Sequence, residues 1–467
     1  MRRTLLLLSV LLTTSLTWAQ TGPGPLVGAW QGDLTLPTGK LPLSITFRAA
    51  ANDTYTATLD VPQQNVQALP IPEVSRRGDS VLLALPALQV RVVSALSADR
   101  KHLTGYWLQR GYRAPLTLTH ATGAATTLPA SNRPQTPKGP FPYRTEDITF
   151  PNKGAGIRLA GTLTVPTGKG PFPAVVLLTG SGPEDRNETI FGHQPFLVLA
   201  DYLTRRGMAV LRFDDRGVGK SEGNLATATS ADYATDAQAA LTYLRTLPTI
   251  NKQQMGLIGH SEGGTAAIRA AGQPQGPAFL VLLATPGLPG TAMMVEQVQA
   301  LARLQTTDTA QVAAIGQMQH RLLDIVQQTP DNDLARTRLL TLLDPTGAAP
   351  TAVAQQLNQQ ITLLTSPGYR ALLADNPAQT LRAVKCPVLA LGGARDVQVN
   401  ATTNLAAIQK GLTASGNHNV TVRELPGLNH LFQTSSTGSP AEYGRIEETF
   451  APAALQAIGD WLVKTTK

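Results

Sequence analysis

The segment that most constrains the fold is 259–263, with the sequence GHSEG. The apolar run at 255–258 predicts a buried strand, and the alanine-rich run at 264–271 predicts a helix. A serine between a strand and a helix lies on a sharp turn, which flanking glycines permit because a side chain there would collide with the strand or the helix. The turn exposes the hydroxyl to a base that can take its proton. We therefore predict an α/β protein with Ser261 as the nucleophile.

The same five-residue pattern occurs a second time, at 219–223, with the sequence GKSEG. This match opens a loop rich in Gly, Asn and Thr, and it does not join a strand to a helix. It also resembles the end of a phosphate-binding loop, but Asp214 stands where such a loop requires its first glycine. We therefore predict that Ser221 is structural and that this loop binds no nucleotide.

The first 19 residues have the features of a secretory signal peptide. Two arginines follow the initial methionine, residues 5–12 are apolar, and small residues stand just before Gln20. The apolar run is too short to cross a bilayer, which takes about 20 residues. An ordinary buried N-terminal helix is the alternative. We predict cleavage after Ala19, a secreted or periplasmic location and no stable membrane span.

The composition excludes several classes of protein. The net charge is +8, from 39 Lys and Arg against 31 Asp and Glu, without a dense basic run, so we expect no nucleic-acid partner. The single cysteine, Cys386, excludes an intramolecular disulfide, so stability must come from the hydrophobic core. No His, Cys or Asp cluster has the spacing of metal ligands, and we expect no metal and no cofactor.

Residues 20–120 differ in pattern from the rest of the chain. Short runs of alternating hydrophobicity, such as YTATL at 55–59, are separated by turn residues, and about eight such strands predict a small all-β sandwich or barrel. Trp30 and Trp107 are expected to anchor its core. Residues 121–142 are rich in Pro, Thr and Ala and predict a linker. We therefore expect the β module to fold separately.

Residues 143–467 alternate between strand and helix patterns, which predicts a mostly parallel sheet flanked by helices. At about 290–382 the alternation stops, and Ala, Gln and Leu at helical spacing predict a helical cap. An insertion at this point would lie over the carboxyl ends of the strands, where open α/β sheets bind ligands. Four apolar side chains of the cap are expected to roof the pocket: Met293, Met294, Leu301 and Leu304.

A serine nucleophile needs a histidine base and a carboxylate that orients this base. Among seven histidines, His430 follows the last predicted strand and lies at the edge of the sheet where the serine turn emerges. Asp396 follows the preceding strand and can reach it. His260 adjoins the serine, but its side chain should point away from the hydroxyl. His193 lies in an early loop and could line the pocket.

These residues resemble the α/β-hydrolase superfamily over residues 143–467. Two further segments, 178–187 and 366–377, resemble those of secreted bacterial serine esterases with an N-terminal β domain, related to the prolyl-oligopeptidase-like and dienelactone-hydrolase-like branch. The resemblance implies an α/β-hydrolase sheet, mostly parallel, with a helical cap insert and a small all-β domain before it.

The resemblance also implies that the backbone N–H groups of Ser181 and Glu262 form the oxyanion hole. The chain departs from the common pattern at Thr179, where the superfamily usually has a histidine, so the anchoring of this loop is left open. We expect Asp185 and Arg186 to form an ion pair that braces the loop.

The sequence and the resemblance together predict a serine hydrolase that cleaves small-molecule esters of small to medium acyl chains. Ser261, His430 and Asp396 would form its triad. A serine peptidase of the prolyl-oligopeptidase-like type is the main alternative, although few acidic residues are expected to hold a peptide's amino terminus. A non-enzymatic binding protein is the other alternative. Contact of the β module with the rim of the active site is left open.

Overall fold

The computed structural model describes residues 25–36, 39–50, 54–61, 66–86, 90–109, 112–121, 133–347 and 351–467. The predicted signal peptide, 1–19, lies outside these residues. The described residues form two sheets, one of nine strands and one of eight. Among them, no helix is both long enough and apolar enough to cross a membrane.

The first sheet is antiparallel, with the strand order β4-β3-β2-β1-β9-β8-β7-β6-β5. The edge strands β4 and β5 follow one another in the chain, and β3 approaches β5 while β4 approaches β6. The sheet therefore curls until its edges face each other, as in a barrel and not a sandwich. Its strands are β1 (Gly28–Leu36), β2 (Gly39–Ala49), β3 (Tyr55–Val61), β4 (Val66–Ile71), β5 (Glu73–Arg77), β6 (Ser80–Leu85), β7 (Val90–Leu96), β8 (His102–Gln109) and β9 (Tyr112–His120).

Side chains alternate between the inside and the outside of this sheet, as in β7, where every second residue is buried. Trp30 and Trp107 are both buried in its core, as predicted. The Trp30 indole N–H donates to the carbonyl oxygen of Leu26 at 2.8 Å, so its one polar group is satisfied. The strand β5 has the polar sequence EVSRR, which lacks the apolar alternation by which strands are predicted.

The second sheet has the strand order β10-β11-β13-β12-β14-β15-β16-β17. The strands β10 and β11 form an antiparallel hairpin, β11 is also antiparallel to β13, and the remaining pairs are parallel. This is the mostly parallel sheet predicted for an α/β-hydrolase. Its strands are β10 (Tyr143–Asn152), β11 (Ile157–Pro166), β12 (Phe172–Leu178), β13 (Ala209–Phe213), β14 (Ile250–His260), β15 (Phe279–Leu283), β16 (Val388–Gly393) and β17 (Val420–Leu425).

Helices cover both faces of the second sheet, because apolar side chains of its central strands point to both sides. The helices α2, α3 and α10 pack on one face, and α1 and α11 pack on the other. These five helices are α1 (Pro195–Arg205), α2 (Ser230–Thr246), α3 (Glu262–Ala271), α10 (Ala401–Ala414) and α11 (Pro452–Thr465).

Within the described residues, six α-helices lie between β15 and β16, where the cap was predicted. Side-chain caps define several of their starts, since Asp308, Asp331 and Ser366 each accept a backbone N–H of the first turn. The cap has a small apolar core of its own. Its helices are α4 (Gly290–Arg303), α5 (Thr309–Gln328), α6 (Asn332–Leu343), α7 (Thr351–Leu364), α8 (Pro367–Ala374) and α9 (Pro377–Thr380).

The end of the predicted linker is attached to the α/β unit. The Arg133 guanidinium donates to the carbonyl oxygens of Phe191, Gly444 and Ile446 at 2.8 to 2.9 Å. The Gln135 side chain donates to the carbonyl oxygen of Phe450 at 2.7 Å, and its Oε1 accepts the N–H groups of Thr449 and Phe450 at 2.6 and 2.9 Å. Residues 133–136 thus hold the loop before α11 against the loop before α1.

Candidate active site

The serine turn has the strained backbone that its sequence context predicts. Ser261 lies between the last residue of β14 and the first residue of α3, with φ 51° and ψ −118°. Its N–H donates to the carbonyl oxygen of Leu283 at 2.8 Å, which ties the turn to the neighbouring strand β15. A Cβ at Gly263 would lie 2.2 Å from the carbonyl oxygen of Leu178, so only glycine lets α3 approach β12 this closely.

The predicted acid and base are in contact. Asp396 lies in the loop after β16, and its Oδ2 is 2.8 Å from Nδ1 of His430, in the loop after β17. The other carboxylate oxygen accepts the backbone N–H groups of Gln398 and Val399 at 2.8 and 2.9 Å. Because Nδ1 is engaged, Nε2 is the ring nitrogen left to exchange a proton with a substrate or a nucleophile.

A cavity of about 850 Å³ connects these residues. Ser261 and His430 both line it, as do Ser181 and Glu262, while Asp396 is buried behind His430. The structure therefore places all five predicted site residues in or directly behind one cavity. The catalytic roles assigned to them stay predictions.

The roof of the cavity differs in part from the prediction. Met293 and Met294 line the cavity, but Leu301 and Leu304 are not among its lining residues. Since a helix rises about 1.5 Å per residue, Leu301 lies roughly 10 Å along α4 from the two methionines. Other helices complete the apolar lining instead, through Leu363 of α7 and through Tyr369 and Leu372 of α8.

The loop after β12, which carries Ser181, has anchors that replace the usual histidine. The Thr179 hydroxyl donates to Oδ1 of Asp215 at 2.7 Å. The N–H of Gly180 donates to Oε1 of Glu188 at 2.8 Å. Both acceptors are buried, so the loop is fixed on two sides although it has a threonine at this position. Glu262 begins α3, and the first N–H groups of a helix have no partner within it.

The ion pair predicted between Asp185 and Arg186 is wrong. Arg186 instead pairs with Asp214 at 2.8 Å and with Asp147 at 3.3 Å. The Asp185 carboxylate accepts N–H and O–H groups from Asn187 and Thr189 at 2.8 to 3.1 Å. The loop turns at Asp185, so the carboxylate closes the turn locally while the guanidinium reaches back to the sheet.

Ser221 has the structural role that the sequence predicts. Its hydroxyl donates to the carbonyl oxygen of Asp214 at 2.7 Å and accepts the N–H of Ala160 at 2.9 Å. His193 does not line the cavity, contrary to the suggestion from sequence. It is buried, and its ring nitrogens lie 2.9 Å from the Thr449 hydroxyl and the carbonyl oxygen of Tyr443.

The cavity has more carboxyl groups than the sequence suggested, contrary to the expectation of few. Glu184, Glu188, Glu262 and Asp375 all line it. Burial, together with the neighbouring carboxylates, raises the pKa of Glu184 to about 8. Burial and Asp375 also raise the pKa of Glu262. The sequence indicated a role only for the backbone N–H of Glu262. Its place directly after the nucleophile was also a signal that its side chain reaches the pocket.

Glu188 and His260 were not predicted as site residues. His260 Nδ1 lies 2.7 Å from Glu188 Oε1, and Nε2 lies 3.0 Å from the carbonyl oxygen of His430. The sequence placed His260 next to Ser261, but nothing local indicated its partner 72 residues earlier. Within the part of the chain that the structure describes, no group of three His, Cys, Asp or Glu could hold a metal ion.

Comparisons with known proteins found similar sequences and similar structures. Esterase EstD of Thermotoga maritima is 25% identical over 329 residues, which cover 70% of this chain and 69% of the relative. The 2,6-dihydropseudooxynicotine hydrolase of Paenarthrobacter nicotinovorans is 31% identical over 116 residues, 25% of this chain and 29% of the relative. A structure of the Pyrococcus furiosus esterase Pf2001 covers 74% of this chain and all of its own, at 15% identity and a TM-score of 0.44.

A family model described as X-Pro dipeptidyl-peptidase (S15 family) matches residues 155–418, which is more than half of the chain. The match contains the serine turn, the cap and the strand before Asp396. This protein is therefore a serine hydrolase of the α/β-hydrolase superfamily, and its chain belongs to the S15 family of X-Pro dipeptidyl-peptidases.

Proposed function

We propose that this protein is an exported carboxylesterase that cleaves esters of small to medium acyl chains. The observation that carries the proposal is a single one. Ser261, on its strained turn, and His430, held by Asp396 at 2.8 Å, line one cavity whose lining as a whole is more apolar than polar. The similarity to Esterase EstD supports ester cleavage, and the signal-peptide pattern supports export.

In the proposed reaction, Ser261 Oγ attacks the ester carbonyl carbon, and its proton passes to Nε2 of His430. Asp396 holds the ring through Nδ1, and the N–H groups of Ser181 and Glu262 donate to the oxyanion. The His430 imidazolium then protonates the leaving alcohol oxygen as the ester C–O bond breaks. A water, deprotonated by His430, then attacks the carbonyl carbon of the acyl-enzyme. The bond between this carbon and Ser261 Oγ breaks, the imidazolium returns the proton to Oγ, and the carboxylic acid leaves.

The apolar side chains of the roof support a preference for short and medium acyl groups. Met293, Met294 and Leu372 offer contact area to an acyl chain. Each buried methylene contributes about 0.8 kcal/mol until the space is filled. We therefore expect kcat/KM to rise over the first few acyl carbons and then to fall.

A peptidase is the second candidate. Its support is the S15 family match and the carboxyl groups of Glu184 and Glu262 in the cavity, which could bind a peptide's terminal ammonium. A protonated carboxyl group attracts an ammonium only weakly, and the pKa of Glu184 is raised to about 8 by burial. The protonated state of Glu184 therefore favours a neutral ester over a peptide with a terminal ammonium.

The decisive measurement is kcat/KM on nitrophenyl esters of two to twelve acyl carbons, beside alanyl, prolyl and Xaa-prolyl anilides. We expect an optimum at about four to six acyl carbons and anilide rates at least about 100-fold lower. A preference for an anilide over every ester would favour the peptidase. Export is tested separately by sequencing the N-terminus of the protein recovered outside the cytoplasm, which we expect to begin at Gln20.

The nucleophile is tested in the same assays. Ser261→Ala should lower kcat by several orders of magnitude and abolish covalent labelling by a fluorophosphonate. Ser221→Ala is the matched control, since it removes the serine of the other GxSxG pattern, and it should still be labelled. Labelling that survives Ser261→Ala but not Ser221→Ala would refute the assignment.

A further inference from the structure

Glu188 and His260 form a buried pair that the proposed reaction does not use. Their side chains lie 2.7 Å apart, and the two residues are 5% and 6% exposed. His260 directly precedes the nucleophile Ser261. Glu188 lies in the segment between β12 and α1, beyond the oxyanion loop. The pair therefore joins the serine turn to that loop from beneath the cavity.

Each member of the pair makes one further bond to a catalytic segment. Glu188 Oε1 accepts the N–H of Gly180 at 2.8 Å. Because Ser181 follows Gly180, this bond helps to fix the predicted oxyanion donor. On the other side, His260 Nε2 donates to the carbonyl oxygen of His430 at 3.0 Å. The pair thus connects the oxyanion loop with the loop that carries the base.

The acceptors around His260 determine its charge. A backbone carbonyl oxygen can only accept, so Nε2 must carry a proton. Nδ1 faces a carboxylate oxygen that also accepts the N–H of Gly180, so this nitrogen is protonated as well. Burial lowers the pKa of His260, but the charge of Glu188 and the bonds to Glu188 and His430 outweigh it and raise this pKa to about 9.

We propose that Glu188 and His260 are positioning residues whose ion pair holds Gly180 and the His430 backbone in register on either side of Ser261. The proposal rests on the proposed roles of Ser261 and His430. Such register matters because a misplacement of about 1 Å can slow a reaction about 100-fold. The chain supplies through this pair the loop anchor that the superfamily usually takes from a histidine at position 179.

The titratable groups that face His260 come from three loops. Glu184 and Glu188 belong to the segment after β12, Asp396 follows β16, and the His430 ring lies 4.8 Å away in the loop after β17. As the pH rises through about 9, His260 loses one proton and must release either Glu188 or the His430 carbonyl. The pair is therefore intact below that pH. The triad alone needs only a neutral His430, so it predicts no loss of activity there.

The test uses the full-length protein and its Glu188→Gln variant, which keeps the size of the side chain and removes its charge. Burial should then keep His260 neutral at pH 7. We expect kcat on a short nitrophenyl ester to fall by about 10- to 100-fold, with KM changed by less than about 3-fold. We also expect the loss of activity near pH 9 to be absent from the variant.

Asp324→Asn is the matched control, because it neutralises the carboxylate of an exposed pair with His320, also at 2.8 Å. It should retain the wild-type kcat and pH profile. The proposal is overturned if Glu188→Gln retains both as well. It is also overturned if the activity of the variant falls only in proportion to its folded fraction. This fraction is measured as the share of molecules that a fluorophosphonate labels at saturation.

If the Glu188→Gln variant does not fold, a measurement on the wild type alone still tests the proposal. The rate at which a fluorophosphonate labels Ser261 should fall as the pH rises through about 9, with the circular dichroism spectrum unchanged. A rate that stays constant to pH 10 would overturn the proposal. This readout does not depend on the ester, so failure of the esterase assignment would be seen separately, as absence of ester turnover with labelling intact.

Discussion

At the scale of single residues, the serine turn depends on how closely the backbone of α3 approaches the end of β12, as well as on the chemistry of Ser261. A Cβ added to Gly263 would lie 2.2 Å from the carbonyl oxygen of Leu178 and 2.4 Å from that of Thr179. Backbone atoms cannot move aside as a flexible side chain can. The small residue is therefore needed for the position of α3 and, through it, for the N–H of Glu262.

This requirement predicts the effect of Gly263→Ala. The added methyl group should force α3 away from β12, with a loss of about 3 kcal/mol or more in the free energy of unfolding and loss of ester turnover. The matched control is Gly154→Ala, whose Cβ would meet only Asn152 Oδ1, at an ordinary 3.6 Å. Urea unfolding measures both variants, and equal stabilities would contradict the prediction.

At the scale of elements, the cap determines which side chains meet a substrate. The methionines at the start of α4 line the cavity, whereas Leu301, near the end of the same helix, does not. Apolar spacing predicted the helix but not how far along it the cavity extends. That limit depends on where α7 and α8 cross over the sheet.

Met294→Ala should therefore shift acyl-chain preference. The shorter side chain leaves space for a longer acyl group, so the ratio of kcat/KM for octanoyl over butanoyl esters should rise by about 3- to 10-fold. Leu301→Ala on the same helix is the control, and its ratio should stay within about 2-fold of the wild type. A rise of the same size in both variants would show that the cap loosens as a whole.

At the scale of the whole molecule, the α/β unit begins before its first strand. Arg133 and Gln135 bond the segments 444–446 and 449–450, which follow the cavity-lining Tyr443 in the chain. Composition alone assigned these residues to a linker, because Pro, Thr and Ala dominate the segment as a whole. The hydrogen bonds of Arg133 and Gln135 attach the end of this segment to the α/β unit.

Two truncated proteins test this boundary. A protein that begins at Arg133 should keep the wild-type rate on a short ester. One that begins at Tyr143 leaves part-buried carbonyl oxygens without these donors, at about 1 kcal/mol each. Its Tm should therefore be lower by at least about 4 °C, with reduced turnover. Differential scanning calorimetry compares the two, and equal Tm values would contradict the assignment of residues 133–136 to the α/β unit.

Much of the fold could be predicted because it depends on short-range patterns. The strand–serine–helix turn, the alternation of strands and helices after Tyr143 and the position of the cap each follow from hydrophobic period and turn residues. The polar strand β5 and the edge strand β10 do not follow from hydrophobic period, since neither has a continuous apolar face. The order of Ser261, Asp396 and His430 along successive loops also placed them at one edge of the sheet.

The sequence by itself determined which residue types stand at the carboxyl ends of the strands, because that depends only on local order. The tertiary structure alone decided which of their atoms meet. Arg186 pairs with Asp214 and not with its neighbour Asp185, and His260 meets Glu188 across 72 residues. Contacts between distant residues depend on how whole loops pack, and no pattern within a short stretch of sequence records that.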